Sequence, residues 1–343
     1  MPSKGRFKVL SVCGGHERTV AKAGLRPLLQ DRIELLAGPG CPVCVCPEED
    51  LAFAICAALS GVPVFTFTDM LFVPVWGLES KSLAEARAKG AEVHAVTGPK
   101  EAAVAARKLN RDALFLAVGF ETTMAPTAAC LVQDWPKHLF VLLSGRRTAP
   151  VVEHLFSGKD WSLDGLIAPG HVATITGEKE WRDLGERLGL PVAVAGFEAK
   201  EFLQALHALE EAMVRRKASF VNAYPWACRP EGNPWARQVL EKAFFVEDAP
   251  WRGIGEVPFS GYVLRPPFDV LDARSRWSFA FLPKEDIPFC KEVLSGELFP
   301  ASCPSFGKAC SPKSPLGAPM VSEEGSCRII WEHGSFGNQF IET

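Results

Sequence analysis

Short apolar runs alternate with longer stretches of helical spacing from Val9 to about Ala218. The runs are Val9–Val12, Ile33–Leu36, Val62–Phe67, Val93–Val96, Ala113–Val118, Leu139–Leu143, Gly165–Ile167 and Pro191–Ala195. They are short and rich in Val, Ile, Leu and Phe, as buried strands are, and a strand-then-helix rhythm predicts βαβ units with mainly parallel sheets. Ser82-Leu83-Ala84-Glu85 reads as a capping box, with Gly90 behind the last turn of its helix. Pro47 followed by Glu48, Glu49 and Asp50 opens another helix, with acidic residues where the helix dipole favours them.

"FLAVGFETT" and "VAVAGFEAK" share a strand, Gly-Phe-Glu and a helix start. This weak repeat predicts two similar α/β domains, residues 1–110 and 111–218, with the boundary near Asn110. After Ala218 periodicity fades and Pro and Trp become dense: Pro225, Trp226, Pro230, Pro234, Trp235, Pro250, Trp251 and Pro258. A third, irregular module is expected over 219–343.

The strands run into glycine-bearing loops: "CGGHE" (13–17), "GPGCPVC" (38–44), "GFETT" (119–123), "SGRRTAP" (144–150), "APGHVATITG" (168–177) and "GFEAK" (196–200). The carboxyl ends of parallel strands are the ligand side of an open α/β sheet, so these loops are expected to meet in one cleft.

Composition narrows the class. With 343 residues, 48% of them hydrophobic and 22% charged, the chain can bury more than one core. A net charge of −3 offers no broad basic field, which argues against nucleic acid or an anionic membrane as main partner. The basic opening segment precedes an apolar run too short for a signal peptide, and no apolar stretch approaches the ~18 residues of a membrane span. A cytoplasmic location is expected. Eleven cysteines in a reducing compartment then suggest metal or thiol chemistry rather than structural disulfides.

Cys41 and Cys44 lie two residues apart just before the Pro47 helix. A CxxC near a helix start suits a reversible disulfide or half of a zinc site. No second CxxC exists, so redox or transient metal capture is the preferred reading, while Cys46 leaves a three-thiolate chelate open. In "CGGHE", Gly14 and Gly15 would let the backbone fold so that Cys13, His16 and Glu17 approach a common point, suited to nucleophilic chemistry or a soft metal. The bland alternative is a buried thiol beside an unrelated histidine. Glu121, Thr122 and Thr123 could be ordinary capping, His171 an ordinary hydrogen-bonded histidine, and Arg146 and Arg147 anion ligands or surface ion pairs. Nothing requires a cysteine protease, and neither G-x-x-x-x-G-K-[ST] nor G-x-G-x-x-G occurs, so nucleotide binding is unsupported.

Cys290, Cys303, Cys310 and Cys327 fall within irregular chain rich in Pro and Gly. Their gaps are wide for zinc, which usually shows a C-x₂₋₄-C, and suit a [4Fe–4S] cluster better, although the spacing matches neither ferredoxin pattern.

Taken together and in this order, "CGGHE", "GPGCPVC", "GFETT", "PGHV" and the late cysteines resemble the [NiFe]-hydrogenase maturation factor HypD family from about Val9 to Glu332. The resemblance implies two α/β domains and a [4Fe–4S] domain. It implies a scaffold on which an Fe(CN)₂CO group is built with the small chaperone HypC, cyanide coming from the donor HypE. By the same resemblance Cys13 is the iron-ligating thiol, with His16 beside it, and Cys41 and Cys44 are a redox pair. Glu121, Thr122, Thr123 and His171 match other cleft motifs. Arg18 stands where the family often has a second His. Pro288 stands where a Cys is often found, which leaves Cys290 as the local candidate for the first cluster ligand. A thiol–disulfide oxidoreductase fed by the cluster is the competing class, and a zinc-stabilised binding module a third.

Overall fold

The computed structural model describes residues 6–157, 163–281 and 289–334. Pro288 and the first five residues of the basic opening segment lie outside them. All eight expected strands form, each within two residues of its expected ends: β1 Phe7–Ser11, β2 Ile33–Ala37, β3 Val64–Thr66, β4 Val93–Ala95, β5 Ala113–Gly119, β6 Leu139–Gly145, β7 Gly165–Pro169 and β8 Val192–Ala195. The Pro47-capped helix runs Glu48–Leu59. Ser82 Oγ accepts from the Glu85 N–H at 3.1 Å, but the Glu85 carboxylate turns to the N–H of Lys81 instead, so the expected capping box closes one residue early.

The strands make two parallel sheets, and Asn110 does not separate them. One sheet has the order β2-β1-β7-β8-β9, where β9 is Phe220–Asn222; the other has the order β4-β3-β5-β6. Strands on either side of residue 110 share a sheet, with Val64 beside Leu114. The reason is burial. All seven residues of β5 are buried, so it needs a neighbour on each edge, and β3 and β6 supply them. In the same way β1 takes β7 on its second edge, with Leu10 beside Leu166. The chain therefore leaves the first sheet after β2, completes the second, and returns. The two copies of the Gly-Phe-Glu repeat fall one in each sheet, after β5 and after β8.

The expectation of irregular chain after residue 218 also needs correction. β9 extends the first sheet, the Pro234–Ala243 helix follows, and β10 (Phe244–Trp251) pairs antiparallel with β11 (Gly255–Leu264). This hairpin lies against the second sheet, where the Arg147 N–H donates to Ser260 O at 2.7 Å. Alternating Pro and Trp masked the strand pattern. Short turns and helices make up 265–281 and 289–334, the latter around a small core of Val293, Cys310, Met320 and Cys327. Among the described residues no helix is long and apolar enough to cross a membrane.

Leu116 sits in the middle of β5 and is fully buried. Leu116→Ala is expected to lower stability by about 2–5 kcal/mol in urea unfolding; a loss under about 1 kcal/mol would contradict the central place of β5.

Candidate functional site

Parallel pairing puts the ends of β1 and β2 side by side, so "CGGHE" and "GPGCPVC" leave the sheet together. Cys13 caps the Gly14–Lys22 helix. Gly14 and Gly15 are not the flexible loop expected from the sequence: they form the first helical turn, and their value is the absence of a side chain. A Cβ on Gly14 would lie 2.4 Å from Glu324 O, and one on Gly15 would lie 2.7 Å from the Phe197 ring. Gly40 is tighter still, since its Cβ would stand 2.3 Å from the Cys13 nitrogen. Gly14 N–H donates to Gly40 O at 3.1 Å and ties the two loops.

One cavity results. Its walls include Cys13, Glu17, Gly40, Cys41 and Cys44, together with Val293, Leu294, Pro319, Glu324 and Ser326 from the C-terminal segment. Cys41 and Cys44 are both buried and joined in a disulfide. Burial pushes the Cys13 thiol up to about 12, against the opposing pull of the N–H groups of His16 and Gly15. At neutral pH it is a thiol, and a metal that bound it would have to displace the proton.

The expected meeting of Cys13, His16 and Glu17 does not occur. His16 is fully buried away from the cavity, its Nε2 3.1 Å from Ala195 O and its Nδ1 3.4 Å from Ser11 Oγ. Burial lowers its pKa to about 4, so it is neutral, and its contacts hold the Gly14–Lys22 helix to the sheet. Glu17 does line the cavity, paired to Arg26 at 2.7 Å. His171, after β7, is exposed and stacks on Phe197 with ring centroids 3.7 Å apart; Phe197 also lies 5.0 Å from the His16 ring. It thus reaches the Cys13 helix through one intervening ring.

The second sheet gathers a separate group, which corrects the expectation of a single cleft. Glu121 begins the Glu121–Gln133 helix and is buried. Its carboxylate accepts from Thr148 N–H at 2.7 Å and from Thr148 Oγ1 at 2.8 Å. Burial, then the nearby Glu180, raise its pKa to about 7. Thr122 is exposed, and Thr123 packs against Gly119, where a Cβ would meet it at 2.2 Å. Arg147 pairs with Glu180 at 3.0 Å, and both line two open cavities of about 540 and 490 Å³. Arg146 is buried and binds Pro250 O through Nε and Nη2 at 3.1 and 2.9 Å, so it is structural rather than a free anion ligand. Cys46 is buried with its sulfur 3.4 Å from Ser144 Oγ, and lines neither the Cys13 cavity nor the C-terminal one.

Cys290, Cys303, Cys310 and Cys327 all line one further cavity, whose other walls are mainly Phe289, Val293, Phe306, Leu316, Pro319 and Met320. Leu316 N–H donates to Cys310 Sγ at 3.5 Å. Burial drives the Cys327 thiol far up, and the other three cysteines push it the same way. No three His, Cys, Asp or Glu side chains among the described residues meet around a single-ion position.

A family model described as HypD, hydrogenase formation hypA family, matches residues 1–334. The chain belongs to the HypD family. It is 38% identical over 335 residues to a protein of Methanocaldococcus jannaschii named for hydrogenase expression and formation, covering 96% of this chain and 92% of the relative. It is 35% identical to hydrogenase maturation factor HypD of Azotobacter vinelandii (96% of this chain, 90% of the relative) and 33% identical to that of Escherichia coli (95% and 89%). In this HypD-family chain sequence reasoning missed Phe197, which packs between the rings of His16 and His171, and the 319–326 turn of the cavity wall. Only position in "GFEAK" hinted at the first; nothing local marked the second.

Glu121 gives a pH signature. Its folded pKa of about 7 exceeds the 4.5 of an ordinary glutamate, so the stability it contributes is complete below about pH 4.5 and is lost as pH rises through about 7. Glu121→Gln should therefore gain on the parent chain by at least about 1 kcal/mol between pH 5 and pH 8, read by urea unfolding at both. A pH-independent difference would refute a carboxyl titrating near neutrality.

Proposed function

We propose that this chain is an assembly scaffold of hydrogenase maturation, in which Cys13 holds an iron while cyanide and carbon monoxide ligands are placed on it. The observation that carries this reading is the shared cavity: Cys13, the Cys41–Cys44 disulfide and the segment bearing the late cysteines enclose one space. A thiolate is a suitable anchor for soft, low-spin iron, and the iron is here the substrate. Cys13 is only partly buried, so a second ligand from the small chaperone HypC, and a cyanide donor such as HypE, have a route to it.

The four late cysteines fit a [4Fe–4S] cluster. They share one apolar cavity, a backbone N–H already points at one sulfur, and they do not converge on a single ion as a tetrahedral zinc would require. Such a cluster would supply single electrons. Val293 and Pro319 line both its cavity and that of Cys13, so the disulfide lies where such a cluster could pass electrons to it. Reduction of Cys41–Cys44 takes two electrons and two protons and yields two thiols. This disulfide also favours the second reading, a thiol–disulfide oxidoreductase.

Cys13→Ser tests the scaffold reading, since a hydroxyl donates poorly to such iron. The variant should fold and keep its cluster, but a complex purified with the partner chaperone should lack CN and CO stretching bands. Bands at parent intensity would remove Cys13 as the anchor. Cys303→Ala should abolish the broad visible absorbance and the roughly four irons per chain expected of anaerobically purified protein; an intact cluster would exclude Cys303 from the ligand set.

A further inference from the structure

The tip of the β10–β11 hairpin reaches across the molecule to the loops that carry the chemistry. Arg252, in the turn, donates its backbone N–H to Val45 O at 3.0 Å and its side-chain Nε to Cys46 O at 2.8 Å. These carbonyls follow directly on the Cys41–Cys44 turn, whose own closure is the pair of bonds from Cys44 N–H and Val45 N–H to Cys41 O at 3.1 and 3.2 Å. The guanidinium is buried, with Nη1 3.8 Å from Glu48 at the start of the next helix. Its neighbour Trp251 is buried, stacks on Phe120 of "GFETT" at 5.8 Å and donates to Ser260 Oγ at 2.8 Å. Pro250 O takes both bonds from Arg146. Gly253 lies against the helix of Cys290, where a Cβ would come within 3.2 Å of both Leu294 Cδ1 and the Lys291 Cα. The tip is thus held on three sides.

We propose that Arg252 is a positioning residue for the Cys41–Cys44 pair, a clamp that holds its turn in the disulfide conformation and so sets how easily it is reduced. This rests on the reading that the pair cycles between disulfide and dithiol. Two thiols occupy more room than one S–S bond, so reduction must loosen the turn. Bonds from a rigid neighbour to the two carbonyls that follow resist that loosening and favour the oxidised form. Arg suits the task because its Nε donor is directional and buried on a fixed stem, whereas a Lys ammonium is a point donor on a flexible one.

The test is an equilibrium titration of the full chain in dithiothreitol buffers of graded ratio. Reduction breaks the Cys41–Cys44 bond while the reagent's two thiols close to a ring disulfide, supplying both electrons and both protons. Linked and free forms are counted by differential alkylation and mass spectrometry. Arg252→Met keeps the packed stem and removes charge and donors; it should shift the equilibrium toward dithiol about tenfold, about 30 mV. Arg252→Lys should fall between Met and parent, and carries the measurement alone if the Met variant does not fold. A purely structural contact would lower the melting temperature without moving this equilibrium. Parent and folded variants agreeing within twofold would overturn the clamp and leave the redox reading standing. A parent pair that stays linked, or stays free, across all buffers would overturn both.

Discussion

The constraint on which the Cys13 cavity depends is the contact between Gly40 and the backbone of Cys13. Neighbouring parallel strands run only about 4.8 Å apart, and their loops emerge at that spacing with no room for a side chain between them. A Cβ at residue 40 would overlap the Cys13 nitrogen, its Cα and the Val12 carbonyl carbon. Everything that gives the cavity its chemistry follows from that approach. It brings a single thiol and a disulfide to the same space, and it leaves the helix behind Cys13 free to press Gly14 and Gly15 against two other segments.

The second layer of organisation is the way the sheets share the chain. Because the first sheet takes its outer strands from both ends of the α/β region, the return into β7 and β8 delivers His171 and Phe197 to the same edge as Cys13. The second sheet instead gathers Glu121, Thr148 and the arginines after β6. The two groups are held together by the hairpin, whose buried Trp251 and Arg252 touch one loop from each. Arg146 and Asp50 are buried as a pair, with Arg146 also bonded to a carbonyl, and this keeps both from acting on a ligand.

The strands were legible because each is a compact apolar run, most have a glycine behind them, and the central ones such as β5 are buried on both faces, which leaves no alternation to misread. The cysteine groupings were legible too, since CxxC spacing and the crowding of late thiols are local features. What could not be read was pairing. Nothing near residue 110 reveals that β5 needs β3, and nothing in "CGGHE" reveals that His16 turns to the Ala195 carbonyl while Cys13 faces the cavity. The glycines were read for flexibility when their use is contact, a distinction that depends on the distant residues Phe197 and Glu324. The hairpin was hidden because its Pro and Trp residues, with one register shift between Glu247 and Ala249, break the two-residue rhythm.

The late arrival of β7 has a consequence for how the protein is made. β1 and β2 leave the ribosome first, yet β1 has a bare edge until Gly165 and its neighbours have been synthesised. At translation rates of about 5–20 residues per second that interval is on the order of 10 s. All four strands of the second sheet have been synthesised before then, so that sheet, from the middle of the chain, is the first whose strands are all present. The loop of Cys13 closes only after most of the polypeptide exists, and the wall that the C-terminal segment gives it comes last. The cavity beside Cys13 is therefore enclosed only once the C-terminal segment has been made.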